Sequence, residues 1–271
     1  METLSWRVER FLAASARAGN QRVFRQLTLA VGFGALAAGL GRLGLRVAKQ
    51  LQRQVDNLKQ KILFVGALVE EAIAKAVTAL VKRDRNMASA VIAADDEIDR
   101  MEVDVEEEVI RILAIYQPVA ADLRFVVAVL KINNDLERMG DLAQNIAKRV
   151  VFITNHERVD LPTDFHPMAQ NVQRMVKQSL DALVNADTNL ARQVIEADDE
   201  VDGQRATIGE QIEKQIAQNP DKVECLMRLL SVSRHLERLA DMATNIAEDV
   251  IYMVEGEIVR HHHDQTQPGK A

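Results

Sequence analysis

A glutamate and an aspartate four residues apart occur twice in the chain, one hundred positions apart. They are Glu137 and Asp141 in LERMGDLAQNIA (136–147), and Glu237 and Asp241 in LERLADMATNIA (236–247), which share eight of twelve positions. Residues i and i+4 lie on one face of a helix, so each copy sets two negative charges side by side. Such a pair is unfavourable by roughly a few tenths of a kcal/mol. A nearby base or a bound cation relieves that repulsion, and the two imply different chemistry.

More carboxylates belong to the pattern. Asp95, Asp99 and Glu102 follow one another at spacings of four and three, and ADDEID (94–99) returns as ADDEVD (197–202), which supplies Asp198 and Asp202. If a hairpin turns near Pro118, Asp99 lies nineteen residues before it and Glu137 nineteen after; Asp95 and Asp141 are each twenty-three away. Equal rise per residue on both helices puts each pair at one height. In the second copy, counted from Asn219, Asp202 and Glu237 stand seventeen and eighteen residues away, and Asp198 and Asp241 twenty-one and twenty-two.

Four convergent carboxylates form an oxygen-only donor set, suited to Mg²⁺, Ca²⁺, Mn²⁺ or iron. No His or Cys lies on these stripes, which argues against zinc. His235 is two residues from Glu237 and points elsewhere, and the Glu-x-x-His pattern of di-iron bundles is absent. The plainer reading is that the acids face water or pair with Arg138, Arg238 and Arg100. Asn134 and Asn145 extend the first stripe. The His261–His263 triplet reads as a solvated tail, Asp122 as a capping acid at the start of a helix, and Met87, Met101, Met139, Met175 and Met227 as core filling. No nucleophile–base pair, phosphate loop or dinucleotide fingerprint is visible.

The elements that must position these acids are helical. Hydrophobic residues make up 48% of the 271 and aromatics only 4%, in a helix-forming composition. All five prolines fall where a helix should start or stop, and none interrupts an apolar period. The pattern predicts six helices, near 49–83, 86–117, 119–156, 165–185, 188–218 and 221–258. ALVKRDRNMASAVIAADDEID (79–99) aligns with ALVNADTNLARQVIEADDEVD (182–202), so the last three helices repeat the first three. The expected fold is all-α: two tandem antiparallel three-helix bundles related by pseudo-twofold symmetry, repeat 1 over 49–158 and repeat 2 over 164–260, with a tail over 261–271.

Residues 1–48 differ from the body. They hold six of the twelve glycines, and residues 1–49 carry eight Lys/Arg against two acids, leaving −12 of the net −6 to the rest. An acidic body disfavours nucleic acid as a partner. The apolar run Leu27–Gly41 is shorter than the ~20 residues of a membrane span. We read 1–48 as a poorly ordered extension or a start codon placed too early; a membrane-surface helix is the competing reading. The lone Cys225 suits a reducing compartment.

From about 50 to 260 the chain resembles the PhoU family of bacterial phosphate-transport accessory and phosphate-signalling proteins. The stretches that carry the resemblance are QPVAADLRFVVAVLKINNDLERMGDLAQNIA (117–147), RHLERLADMATNIAEDVIYMVEGEIVRH (234–261) and the ADDEID/ADDEVD pair. The resemblance implies two three-helix bundles and metal clusters of iron, manganese, magnesium or a similar ion. Their ligands would be Glu137 and Asp141, then Glu237 and Asp241, joined by Asp95, Asp99, Asp198 and Asp202. It also implies a non-enzymatic cytoplasmic regulator, homodimeric and placed at the inner face of the membrane. Its implied partners are the ATPase of a phosphate ABC transporter and a phosphate-sensing histidine kinase. Three residues depart from the pattern in the second copy: Arg205 replaces the equivalent of Glu102, Gly203 follows Asp202, and Met242 follows Asp241. A metal-dependent enzyme acting on phosphorylated substrates and a metal-free helical scaffold are the competing functions.

Overall fold

The computed structural model describes residues 21–156 and 165–257. Seven α-helices and one 3₁₀ turn account for nearly all of them: α1 Gln21–Lys82, α2 Arg85–Tyr116, α3 Ala120–Thr154, α4 His166–Asn185, α5 Thr188–Glu196, α6 Asp198–Gln218, the turn Pro220–Lys222, and α7 Val223–Glu255. No strand occurs among the described residues. The chain separates into two units, 1–53 and 54–271. The first is described over residues 21–53, all helical; the second holds both repeats.

Local signals explain the boundaries. Asp84 caps α2, its side chain accepting the Met87 N–H at 3.0 Å, and Asp187 caps α5 by accepting from Asn189 and Leu190. Each cap is worth ~1 kcal/mol. The residue preceding each cap is left-handed, Arg83 at φ 53° and Ala186 at φ 51°. The same turn thus closes the first helix of each repeat, as duplication requires. Pro167 begins α4 and Pro220 opens the 3₁₀ turn, positions where a missing N–H costs nothing.

Four expectations need correction. The first helix starts by Gln21 rather than near residue 49. Glycine costs a helix only about 1 kcal/mol each, so the glycine-rich run 32–44 is no stop signal. Residues 1–20 and the His261–His263 triplet lie outside the described residues. The helix foreseen over 188–218 is interrupted at Ala197. There α6 starts with three acids, Asp198, Asp199 and Glu200, which favour the positive end of a helix dipole. Met139 and Met175 fill the core, but Met227 is exposed, because it lies on the outer face of α7. Asp122 sits in the first turn of α3 behind the cap residue Val119, so it acts on the dipole and does not cap.

In the second unit α2 packs on α3, while α4, α5 and α6 pack on α7. The two repeats meet chiefly through α3 and α7. These run antiparallel: Lys131 reaches Asp249 at 3.2 Å, Arg124 Nε donates to the Met253 carbonyl at 3.3 Å, and Arg228 lies 4.6 Å over the Phe152 ring. The pairs converge on Gly140 and Ala240, about which one helix maps onto the other by a half-turn. The first helices of the repeats also touch: a Cβ on Gly66 would stand 2.9 Å from Leu180, and Lys59 Nζ donates to the Val184 carbonyl at 3.0 Å. No described helix is long and apolar enough to cross a membrane.

Candidate functional site

The first acidic face is built where α2 and α3 come closest. A Cβ on Gly140 would lie 3.1 Å from Ile98 Cδ1 and 3.6 Å from Asp95 Oδ1. Glycine at that position lets the two backbones approach and brings Asp95 into the seam, where it is only 7% exposed. Burial comes first, then Asp99 and Asp141, in raising the Asp95 carboxyl to about 6; Lys148 opposes them. Glu137 is raised by burial, then by Asp141, Asp99, Glu102 and Asp95. Glu102 is raised by burial, then by Glu106 and Asp99. Asp95, Asp99, Glu102, Glu137 and Asp141 therefore share one electrostatic field. Asn133, fully buried, fixes the local backbone by donating to the Glu102 carbonyl at 2.9 Å.

The second face differs. Arg205, at the position equivalent to Glu102, makes an ion pair with Glu237, Nε to Oε2 at 3.3 Å. Asp241 is raised by partial desolvation, then by Glu237 and Asp202, while Arg238 pulls it down. Asp198 is the first residue of α6, one turn before Asp202, and is not among the charges that move Asp241. Here the fold supplies a cation of its own where the first face gathers a fifth acid.

The donor set of the first face, carboxylates alone, suits a hard cation. Among the described residues no group of three or more His, Cys, Asp or Glu side chains stands at metal-holding distances. Like charges without a counter-ion repel, so a cation would have to draw them together. In the second face Arg205 would first have to release Glu237.

Between the two faces, on the half-turn axis, lies a polar cleft of about 530 Å³. Arg138, Asp141 and Asn145 line it from α3, and the equivalent Arg238, Asp241 and Asn245 from α7. His235, near Arg238 but not in the lining of the cleft, is held neutral well below the usual imidazole range, at about 4, by burial and by the Arg149 and Arg238 guanidiniums.

Sequence reading missed six buried polar residues, Glu108, Asn133, Asp135, Ser179, Ser233 and Asp249, of which three sit at contacts between elements. Glu108, in α2, sits against Lys61 at 3.9 Å and in contact with Arg111. Asn133 and Asp249 lie inside helix contacts. Each of these three looks like an ordinary surface residue in its own helix, and its partners come from other elements or turns. Only Arg111, three residues after Glu108, left a local trace.

Comparison with known proteins bears on both repeats. The PhoU domain model matches residues 62–150 and 165–250. The phosphate-specific transport system accessory protein PhoU homolog of Aquifex aeolicus is 40% identical over 214 residues, covering 79% of this chain and 97% of that protein. The Pseudomonas aeruginosa homolog of the same description is 35% identical, covering 79% and 89%. The crystal structure of PhoU from Pseudomonas aeruginosa superposes with a TM-score of 0.73 at 34% identity, over 76% of this chain and 99% of that one. That of the phosphate transport system regulatory protein PhoU from Streptococcus pneumoniae gives 0.70 at 30%, over 77% and 99%.

Proposed function

The chain belongs to the PhoU family, and from that premise we propose that it is a non-enzymatic regulatory adaptor of phosphate uptake. It restrains the phosphate-starvation response by contacting the ATPase of a phosphate ABC transporter and a phosphate-sensing histidine kinase. It does so in the cytoplasm, at the inner face of the membrane, as a homodimer. Carboxylate-held metal ions organise its two acidic faces. The observation that carries the metal part is the shared field of five carboxylates on α2 and α3, which has no cation of its own beyond the opposing Lys148.

In the first face Glu137, Asp141, Asp95 and Asp99 are the ligands; the metal supplies positive charge that neutralises their repulsion and ties α2 to α3. In the second, Glu237, Asp241 and Asp202, with Asp198 at the start of α6, form a weaker site because Arg205 competes for Glu237. The relatives described as phosphate transport accessory or regulatory proteins support the role in phosphate uptake.

The test of the role is a pull-down with the transporter ATPase and the histidine kinase as baits, run at high and low phosphate. Enrichment of either, changing with phosphate, is expected; no enrichment of either sinks the adaptor reading. The test of the metals is elemental analysis of protein purified without chelator. The wild type should carry iron, manganese or a similar ion, and the Glu137→Gln/Asp141→Asn variant should lose most of it. A metal-free wild type refutes the metal sites and leaves the adaptor reading standing.

A further inference from the structure

The long first helix changes character along its length. Val55, Leu58, Ile62 and Val65 are buried. Just upstream, over 48–54, no residue is buried, and Arg46, Lys49 and Arg53 are exposed. The apolar spacing nevertheless continues. Leu29, Phe33, Leu36, Leu40, Leu43 and Val47 follow one another at intervals of four, three, four, three and four. That spacing makes one stripe on a helix, and the backbone over 21–53 is helical. The PhoU domain model begins at residue 62, so this segment lies outside the shared domains.

Charge indicates what such a stripe meets. Residues 21–55 hold six cations, Arg22, Arg25, Arg42, Arg46, Lys49 and Arg53, and no Asp or Glu. Between the two groups of cations, residues 26–41 carry no charge. At the rise of an α-helix that stretch is about 24 Å long, short of the ~30 Å hydrocarbon core of a bilayer. An uncharged helical stretch with cations at both ends suits the headgroup region. Apolar residues enter the acyl boundary there, and long basic side chains reach out to the phosphates. A second copy of the helix is a poorer occupant. Two such helices side by side bring cations together and supply no acid to answer them.

We propose that residues 21–53 form a membrane-surface helix that binds anionic lipid and tethers the chain there. This deepens the adaptor reading, on whose placement at the membrane it rests, by naming the element that reaches the bilayer and the lipid it meets. The contact needs neither a metal nor a partner protein.

The test is flotation of the full chain, in chelator and without partner proteins, with vesicles of phosphatidylcholine alone or mixed with phosphatidylglycerol. The expected result is binding to the mixed vesicles only, lost as salt rises and screens the charges. Each cation near an anionic surface contributes about a fivefold factor in partitioning. Arg42→Gln/Arg46→Gln/Lys49→Gln/Arg53→Gln should therefore weaken binding about a hundredfold or more. Phe33→Ser/Leu36→Ser keeps every charge and should weaken it about tenfold, through lost apolar burial. An equal loss of charge from exposed positions of the repeats, Lys75→Gln/Arg85→Gln/Lys177→Gln/Arg192→Gln, should leave binding within about twofold. Circular dichroism confirms that each variant is folded.

The proposal is overturned by no binding to the mixed vesicles, by equal binding to phosphatidylcholine alone, by undiminished binding of either helix variant, or by equal weakening in the repeat variant. Sedimentation velocity without lipid gives a further refutation: if vesicles are ignored and Phe33→Ser/Leu36→Ser dissociates an oligomer of the wild type, the stripe is covered by a second copy. The vesicles hold no protein, so this result stands apart from the pull-down. A failed pull-down with intact vesicle binding strikes the adaptor reading alone, and the reverse strikes the lipid contact alone.

Discussion

The two repeats of this chain share a frame and differ in how they balance charge. In the first, α2 and α3 close tightly over Gly140 and leave five carboxylates in one electrostatic field. In the second, Ala240 takes the place of that glycine, and Arg205 turns into the acidic face to meet Glu237. Along the seam the balance reverses. The end rich in carboxylates comes with Lys131 and Arg138 to neutralise them, while at the other end Arg149, His235 and Ser231 stand in the places of Asp249, Asp135 and Lys131. A duplicated sequence therefore holds two versions of each problem, one solved by the protein and one left for something else to solve.

The largest effect that would sharpen this contrast comes from Lys131→Met. It removes the cation paired with Asp249, a residue only 1% exposed, and the expected loss is about 3 kcal/mol in urea denaturation. Arg149→Met, at the matching place, has no ion pair to lose and should change stability little. Equal losses would mean that the two ends are energetically alike. Next comes Gly140→Val, which drives a branched side chain into Ile98; overpacking of this kind should destabilise by about 2 kcal/mol. The same change should spread α2 from α3 and reduce metal uptake by the first face.

A reciprocal exchange has a smaller effect on stability but says more about mechanism. Glu102→Arg gives the first face the counter-ion of the second and should stabilise metal-free protein by ~0.5–1 kcal/mol while lowering its metal content. Arg205→Glu should do the reverse, at a similar cost in chelator, and raise metal binding by the second face. If neither variant moves the metal content, the difference between the faces has no bearing on metal. The smallest effect concerns Cys225, at the place of Phe125 in the first repeat. Burial raises this thiol above its ordinary value, against Arg83, so the folded chain keeps the proton where the unfolded chain loses it. Stability should therefore decline slightly as pH rises above about 9. Alkylation at pH 8.5 should be slow until urea opens the second repeat; fast labelling would show that this repeat opens easily.

Much of this frame was legible before any coordinates. Prolines and apolar periods located the helices from 85 onward to within a few residues. Counting from the turn placed Asp99 level with Glu137 and Asp95 level with Asp141, and those pairs lie in one another's field. In the second repeat the count was looser, and Asp241 feels Asp202. The break at Ala197 was hidden because neither proline nor glycine marks it, only the acids that follow. The start of α1 was misplaced because glycine weakens a helix without ending it. Glu108, Asn133 and Asp249 escaped notice for a more general reason. Their burial is decided by partners such as Lys61, Glu102 and Lys131, and a single helix does not reveal which distant residue will cover its polar positions.

The half-turn relation between α3 and α7 has a consequence for how such a protein can change. Two separate copies of a half-length chain, meeting through the same face, must carry every substitution twice, once on each side of the axis. A residue that helps one end of the seam then appears at the other whether or not it helps there. Joining the halves in one chain removes that constraint. Position 235 can hold histidine while 135 holds aspartate, and 205 can hold arginine while 102 holds glutamate. The symmetry that built the frame survives in the backbone, and each side chain has become free to serve one side only.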